Sequence, residues 1–271
     1  MKFTILQMED RTKPLLSLFM NHNRAICDDN NFEYVFMERS ADHVPPYWGK
    51  IVELQRLLAD PSRDYVMWLD SDAFLYKFDN ARFTQFLDNN SAYSMIISGD
   101  MPPWQDGMFN AGSFIVKNNE AGRDIVALWL SAYNPEKWTH SNGKWTTSGV
   151  WAGPEYEQGA FMSTILPNKQ VAPHIKSVHY SVLNNNSCIH NTDNTLVVHL
   201  AGGHKEKKVN IESCTASIQN EDYNPIVYYL RIFLYLIAFG LLVWICIYYT
   251  KPIVRNLQQL NPLVRKILHI R

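Results

Sequence analysis

This sequence has little in excess. Its 271 residues include only four cysteines, none in a Cys-x-x-Cys spacing. That excludes a disulfide-stapled miniprotein, and Cys27, Cys188, Cys214 and Cys246 read as small buried hydrophobes, neither metal ligands nor a disulfide framework. There is no internal repeat and no low-complexity linker. With 46% hydrophobic and 19% charged residues the chain falls in the ordinary globular range, and one domain of roughly 200 residues can bury a full core. A basic excess is also missing: 25 basic against 26 acidic side chains leave a net charge of −1, which argues against nucleic acid as a partner.

Acid is absent from one end altogether. Residues 226–271 contain no Asp or Glu and six basic residues, Arg231, Lys251, Arg255, Arg265, Lys266 and Arg271, so residues 1–225 carry −7. Residues 226–249 are apolar or aromatic except Arg231, and 232–249 run without interruption, the pattern of a transmembrane or membrane-embedded segment. Residues 250–271 follow as a basic amphipathic tail attracted to anionic membrane lipid. The first residues, MKFTILQM, are followed at once by Glu9, Asp10 and Arg11 and read as a strand, not a signal peptide. The expected localisation is therefore a membrane, single-pass or monotopic through the C-terminal segment, with a cytosolic catalytic domain. The positive-inside rule would instead place the tail in the cytosol, leaving a lumenal domain open. In that case the sequons Asn89-Asn90-Ser91 and Asn185-Asn186-Ser187 gain meaning.

The globular part alternates strand and helix signals. Strands are expected over 3–8, 32–37, 65–69, 93–98 and 113–116, with 65–69 apolar throughout and buried on both faces. Helices are expected from Pro14 and over 47–59, 82–87, 123–133 and 156–166. This is the order of an open α/β domain with a mostly parallel sheet. The chemistry concentrates where the buried strand ends, in YVMWLDSDAFL: Asp70 and Asp72, two residues apart in extended chain, point the same way and can share one divalent cation. The carboxyl ends of the strands are also where such sheets bind ligands.

Five blocks extend that signal: Tyr47-Trp48-Gly49-Lys50-Ile51, Trp68-Leu69-Asp70-Ser71-Asp72-Ala73, Phe109-Asn110-Ala111-Gly112-Ser113-Phe114, Glu157-Gln158-Gly159-Ala160 and Val198-His199-Leu200-Ala201-Gly202. In this order they resemble glycosyltransferase family 34, which holds fungal Golgi α-galactosyl- and α-mannosyltransferases and plant xyloglucan α-xylosyltransferases. The resemblance implies a GT-A (nucleotide-diphospho-sugar transferase) Rossmann-like domain over 1–225, with Mn²⁺ as cofactor and a nucleotide sugar, UDP-linked, as donor. It implies a glycan or glycoconjugate acceptor and α-retaining transfer of galactose, xylose or mannose. By the same resemblance Asp70, Asp72 and His199 hold the metal, Lys205 contacts the diphosphate with His204 competing for its place, and Lys50 lies near the nucleotide. Asn110 and Gly112 form the family's turn against the sugar, and Glu157 and Gln158 lie by the reacting anomeric carbon. The plant pattern has two Asp before the Gln, where this sequence has Tyr156 and Glu157. Same-face attack and double displacement through Glu157 both remain open.

The polar stretch 134–153 contains Trp138, His140, Trp145 and Trp151, and is expected to be either an acceptor-binding lid or a loop packed down by its tryptophans. Two rival functions use the same motif: a phosphohydrolase of the haloacid dehalogenase type, and a catalytically inactive sugar-binding membrane protein.

Overall fold

A computed structural model describes residues 1–9, 14–38, 44–100, 109–188, 193–201, 213–216, 218 and 241. The chain divides into two units, Met1–Glu221 and Asp222–Arg271, and in the second only Leu241 is described. The expected basic tail and, apart from Leu241, the expected membrane segment therefore lie outside the described residues. Among the described residues no helix is long and apolar enough to cross a membrane.

The first unit runs β1 (Phe3–Met8), α1 (Pro14–Asn30), β2 (Glu33–Met37), α2 (Pro46–Leu58), β3 (Tyr65–Leu69), β4 (Ala73–Leu75), α3 (Asn80–Asn89), β5 (Met95–Gly99), β6 (Phe109–Lys117), α4 (Glu120–Ser131), β7 (Trp138–Ser141), β8 (Lys144–Thr147), α5 (Glu157–Ala160), β9 (Ile175–Val178), α6 (Tyr180–Leu183) and β10 (Val197–His199). Helix α5 continues into a π-helical turn, Phe161–Ile165. The main sheet has the order β2-β1-β3-β6-β5-β9. Its pairs are parallel except at β6, which runs antiparallel to both neighbours.

Alternation along the central strands explains why both faces are covered. On β3, Val66 and Trp68 face a core with Trp48, Ile51 and Leu54 of α2 and Ile125 and Trp129 of α4. Met67 and Leu69 face the opposite core with Phe3, Ile5 and Phe83 of α3. Each such side chain contributes about 1.5–3 kcal/mol on burial, so two cores clamp the strand that leads into the site.

Three elements depart from the sequence reading. The stretch 134–153 is not a structureless loop: β7 and β8 form a hairpin turned by Asn142 and Gly143, both at positive φ (51° and 70°), the geometry that Asn-Gly favours in a two-residue turn. The strand expected over 113–116 begins four residues earlier, at Phe109. The cysteines also need correction: Cys188 and Cys214 form a disulfide across 26 residues, and Cys27 alone among the described cysteines is a free buried thiol. Tertiary proximity made that pair, with no signal in its spacing.

Candidate active site

The antiparallel direction of β6 places its first residues at the carboxyl end of β3, where Leu69 pairs with Ser113. On its other edge the register with β5 jumps from Ile97↔Phe114 to Ser98↔Asn110, so residues 111–113 bulge out of that pairing. Bulges of this kind re-aim backbone at ligand sites. The Asp70 N–H donates to the Gly112 carbonyl (2.7 Å), the Gly112 N–H to Asn110 Oδ1 (2.8 Å), and the Ala111 N–H to Gln158 Oε1 (3.0 Å). Lys50 Nζ donates to the Ala111 carbonyl at 3.0 Å.

Asp70, Ser71 and Asp72 form a turn, not extended chain, closed by the Ala73 N–H on the Asp70 carbonyl (2.9 Å) before β4 begins. Ser71 is buried and donates to Glu9, whereas both aspartates are partly exposed. Strand β4 pairs with β10 so that Ala73 lies opposite His199. His199 Nε2 lies 3.2 Å from Asp72 Oδ1 and 3.7 Å from Asp70 Oδ2. Its Nδ1 lies 2.6 Å from Asn184 Oδ1, an acceptor, which fixes the proton on Nδ1 and leaves Nε2 facing the carboxylates. One ligand atom from each of Asp70, Asp72 and His199 falls within 4.8 Å of the others. Two carboxylates and an oriented imidazole form a donor set that fits a divalent cation such as Mn²⁺. Burial opposes charge on His199, but the neighbouring Asp72 and Asp70 carboxylates outweigh it and hold its pKa above the ordinary histidine value.

Gly112 also has a packing role toward the metal-site histidine. A Cβ there would overlap the His199 imidazole at Cε1, Nδ1 and Nε2, so the missing side chain makes room for the ring. Asn110 uses its amide within the protein, donating to Asp100 Oδ1 (3.1 Å) while accepting from Gly112.

Lys50 and Glu157 form a buried ion pair, Nζ to Oε1 2.8 Å, and Asp70 Oδ1 lies 3.5 Å from the same ammonium. Burial disfavours the Lys50 charge, but Asp70 and Glu157 more than compensate and raise its pKa. Burial pushes the Glu157 carboxyl above its usual range, with Lys50 pulling the other way. Trp129 Nε1 donates to the Glu157 carbonyl (2.8 Å), which pins the start of α5. Trp68 Nε1 donates to Asp70 Oδ1 (2.7 Å).

The structure thus brings together Lys50, Asp70, Asp72, Asn110, Gly112, Glu157, Gln158 and His199, drawn from α2, the β3–β4 turn, β6, α5 and β10. Lys205 and His204 lie outside the described residues. Asn184 was missed: it stands just before the sequon Asn185-Asn186-Ser187 and carries no signal of its own.

Comparison with known proteins gives the same direction. The chain is 24% identical over 137 residues to glycosyltransferase 6 of Arabidopsis thaliana, covering 45% of this chain and 31% of that protein. It is 24% identical over 226 residues to an alpha-1,2-galactosyltransferase of Schizosaccharomyces pombe, covering 70% of this chain and 56% of that one. The chain thus spans about a third to a half of the length of these relatives. Its fold is similar to the crystal structure of a glycosyltransferase involved in glycosylating the major capsid of PBCV-1, with a TM-score of 0.58 at 16% identity over 78% of this chain and all of that one. This likeness and the mixed sheet make the fold GT-A-like. The model of the galactosyl transferase GMA12/MNN10 family matches residues 4–210, and the chain belongs to that glycosyltransferase family.

Proposed function

We propose that this glycosyltransferase moves a galactose, xylose or mannose unit from a nucleotide sugar, UDP-linked, to a glycan acceptor with retention of the α configuration. The observation that carries this reading is the Asp70–Asp72–His199 cluster at the carboxyl end of β3. A divalent cation such as Mn²⁺ held there would supply charge neutralisation for a departing diphosphate. Asp70, Asp72 and His199 would hold it, and the Asn184 contact keeps Nε2 available. Glu157 is 4% exposed and engaged by Lys50, which supports an electrostatic role toward positive charge on the sugar over nucleophilic attack, and so favours the same-face course. Gln158 accepts from the Ala111 N–H of the bulged β6 backbone, which fixes the direction of its amide.

The proposed organisation is a catalytic unit over 1–225, a membrane segment over 226–249 and a basic tail over 250–271. The Cys188–Cys214 disulfide supports an oxidising, lumenal location for the catalytic unit rather than a cytosolic one. That orientation also satisfies the positive-inside rule for the tail. Of the two sequons, Asn89 is exposed at the end of α3, whereas Asn185 is buried and donates to Thr195. The test is to incubate the detergent-solubilised full chain with Mn²⁺ and a panel of UDP- and GDP-sugars, beside an Asp72→Ala control. Turnover lost in the control supports the reading; no turnover of any donor, or equal turnover by the variant, overturns it and leaves the inactive sugar-binding protein.

A further inference from the structure

Among the described residues, large hydrophobic side chains are markedly exposed at Met1, Leu241 and one adjacent pair, Val150 (75%) and Trp151 (72%). Met1 is the first residue and Leu241 belongs to the other unit, so among the described residues of the first unit the pair is the one apolar patch of this kind within the chain. An indole held in water forfeits the free energy its burial would supply, and an exposed apolar patch of this kind marks a contact surface.

The segment bearing Trp151 is rigidly mounted. Ala152 adopts a left-handed backbone (φ 56°), which costs about 1 kcal/mol or more for a residue with a Cβ and persists only where the surroundings enforce it. The Gly153 N–H donates to the Val150 carbonyl and the Tyr156 N–H to the Gly153 carbonyl, each at 2.9 Å. The indole N–H groups of Trp48 and Trp138 converge on the Glu155 carbonyl at 2.8 and 3.2 Å. Gly159 of α5 lies so close to the Ala152 and Gly153 carbonyls that a Cβ would collide with both. The turn that holds Trp151 outward is therefore locked onto the same short helix that carries Glu157 and Gln158.

Position and chemistry then identify the occupant. The Trp151 ring lies 5.1 Å from Tyr156 and 5.4 Å from Tyr47, centroid to centroid, and Tyr156 immediately precedes Glu157. On the same turn the half-buried Glu155 carboxylate lies against Gly149. A rigidly mounted, exposed indole edged by two tyrosines, on the turn that leads into the helix of Glu157 and Gln158, matches a sugar, whose C–H face stacks on aromatic rings. The other aromatic residues of the stretch are otherwise engaged: Trp138 is buried, and Trp145 stacks on His140 with centroids 4.7 Å apart.

We propose that Trp151, edged by Tyr156 and Tyr47, is a preformed stacking platform for a sugar ring of the acceptor. The identification of that saccharide as the acceptor rests on the glycosyltransferase reading above; the saccharide site itself does not. Calorimetry on the detergent-solubilised full chain, with cellohexaose and α-mannotriose as probes and no donor, tests it. Binding of one probe should weaken about tenfold in Trp151→Ala, as expected for losing roughly 60 Å² of apolar contact, and should be largely recovered in Trp151→Phe, with a smaller effect in Trp145→Ala. Wild-type protein that binds neither probe, or Trp151→Ala binding as tightly as wild type, overturns the platform. So does unchanged saccharide binding with loss of affinity for phosphatidylcholine–phosphatidylserine vesicles, which would assign the ring to a membrane surface. A donor assay on the wild type separates the two ideas: without donor turnover but with Trp151-dependent saccharide binding, the enzymatic reading fails and the platform stands.

Discussion

Replacing Lys50 by Met removes the cation from a pair in which both side chains are 6% exposed, while nearly conserving volume. The Glu157 carboxylate is left buried without its partner, and the Ala111 carbonyl loses its 3.0 Å donor. Breaking a buried ion pair from one side costs about 3–5 kcal/mol. In a domain of this size each kcal/mol lowers Tm by about 2–4 °C, so Lys50→Met should melt about 6–20 °C below wild type. Asp70, 35% exposed and 3.5 Å from the ammonium, remains solvated and adds less. The double variant Lys50→Met/Glu157→Gln removes the stranded charge and should regain at least half of the loss. The sign with pH is fixed as well. Burial already raises the Glu157 carboxyl, so without Lys50 the penalty is greatest at neutral pH and shrinks as the pH falls toward the ordinary glutamate value of 4.5. Metal-free thermal melts followed by near-ultraviolet circular dichroism measure this. A single variant within 2 °C of wild type, or a double variant no more stable than the single, would refute the account of the pair.

Three further outcomes follow from separate parts of the molecule. Gly112→Ala should displace the His199 imidazole and weaken Mn²⁺ binding, read by electron paramagnetic resonance, by roughly tenfold or more, with an overpacking cost of about 1–3 kcal/mol; undiminished Mn²⁺ affinity would contradict the packing at this glycine. Glu33 is held below the usual carboxylate range, chiefly by the Arg63 guanidinium, which reaches both of its oxygens at 2.7 Å; burial opposes this but does not outweigh it. Its contribution, under about 1 kcal/mol at this partly exposed site, is present above pH 4.5 and is lost as pH falls through the lowered value. Urea titrations should therefore find the gap between wild type and Glu33→Gln closing in acid, and a gap that widens there would be wrong for this cause. Cysteine counting tests the disulfide. The native Cys27 thiol, pushed by burial up to about 12, should resist alkylation. The unfolded, unreduced chain should expose two thiols and the reduced chain four, with bond loss costing about 3–4 kcal/mol for this loop; four thiols without reductant would exclude the bond.

Most of the sheet was legible because its strands alternate or run apolar over five or six residues: 3–8 and 65–69 match β1 and β3 at both ends. The short strands β4, β9 and β10, of three or four residues, have too few positions for a period to show. The hairpin in 134–153 carried a local signal, Asn142-Gly143, hidden among tryptophans and polar residues that read as a loop. Asp70 and Asp72 stood out because charge interrupts a buried strand; His199 and Gly112 became recognisable only through the family resemblance.

By itself, the sequence determined what is local or periodic: the α/β order, the metal-competent aspartates, the separation of an acidic domain from an acid-free end, and the family. Tertiary structure decided what depends on residues far apart in the chain meeting in space. It set His199 against Gly112, Lys50 against Glu157 and Cys188 against Cys214, and it left Trp151 outside while burying Trp138. The physical reason is that a side chain's own chemistry is written in its identity, whereas its protonation, its partners and its exposure belong to the neighbours that folding supplies.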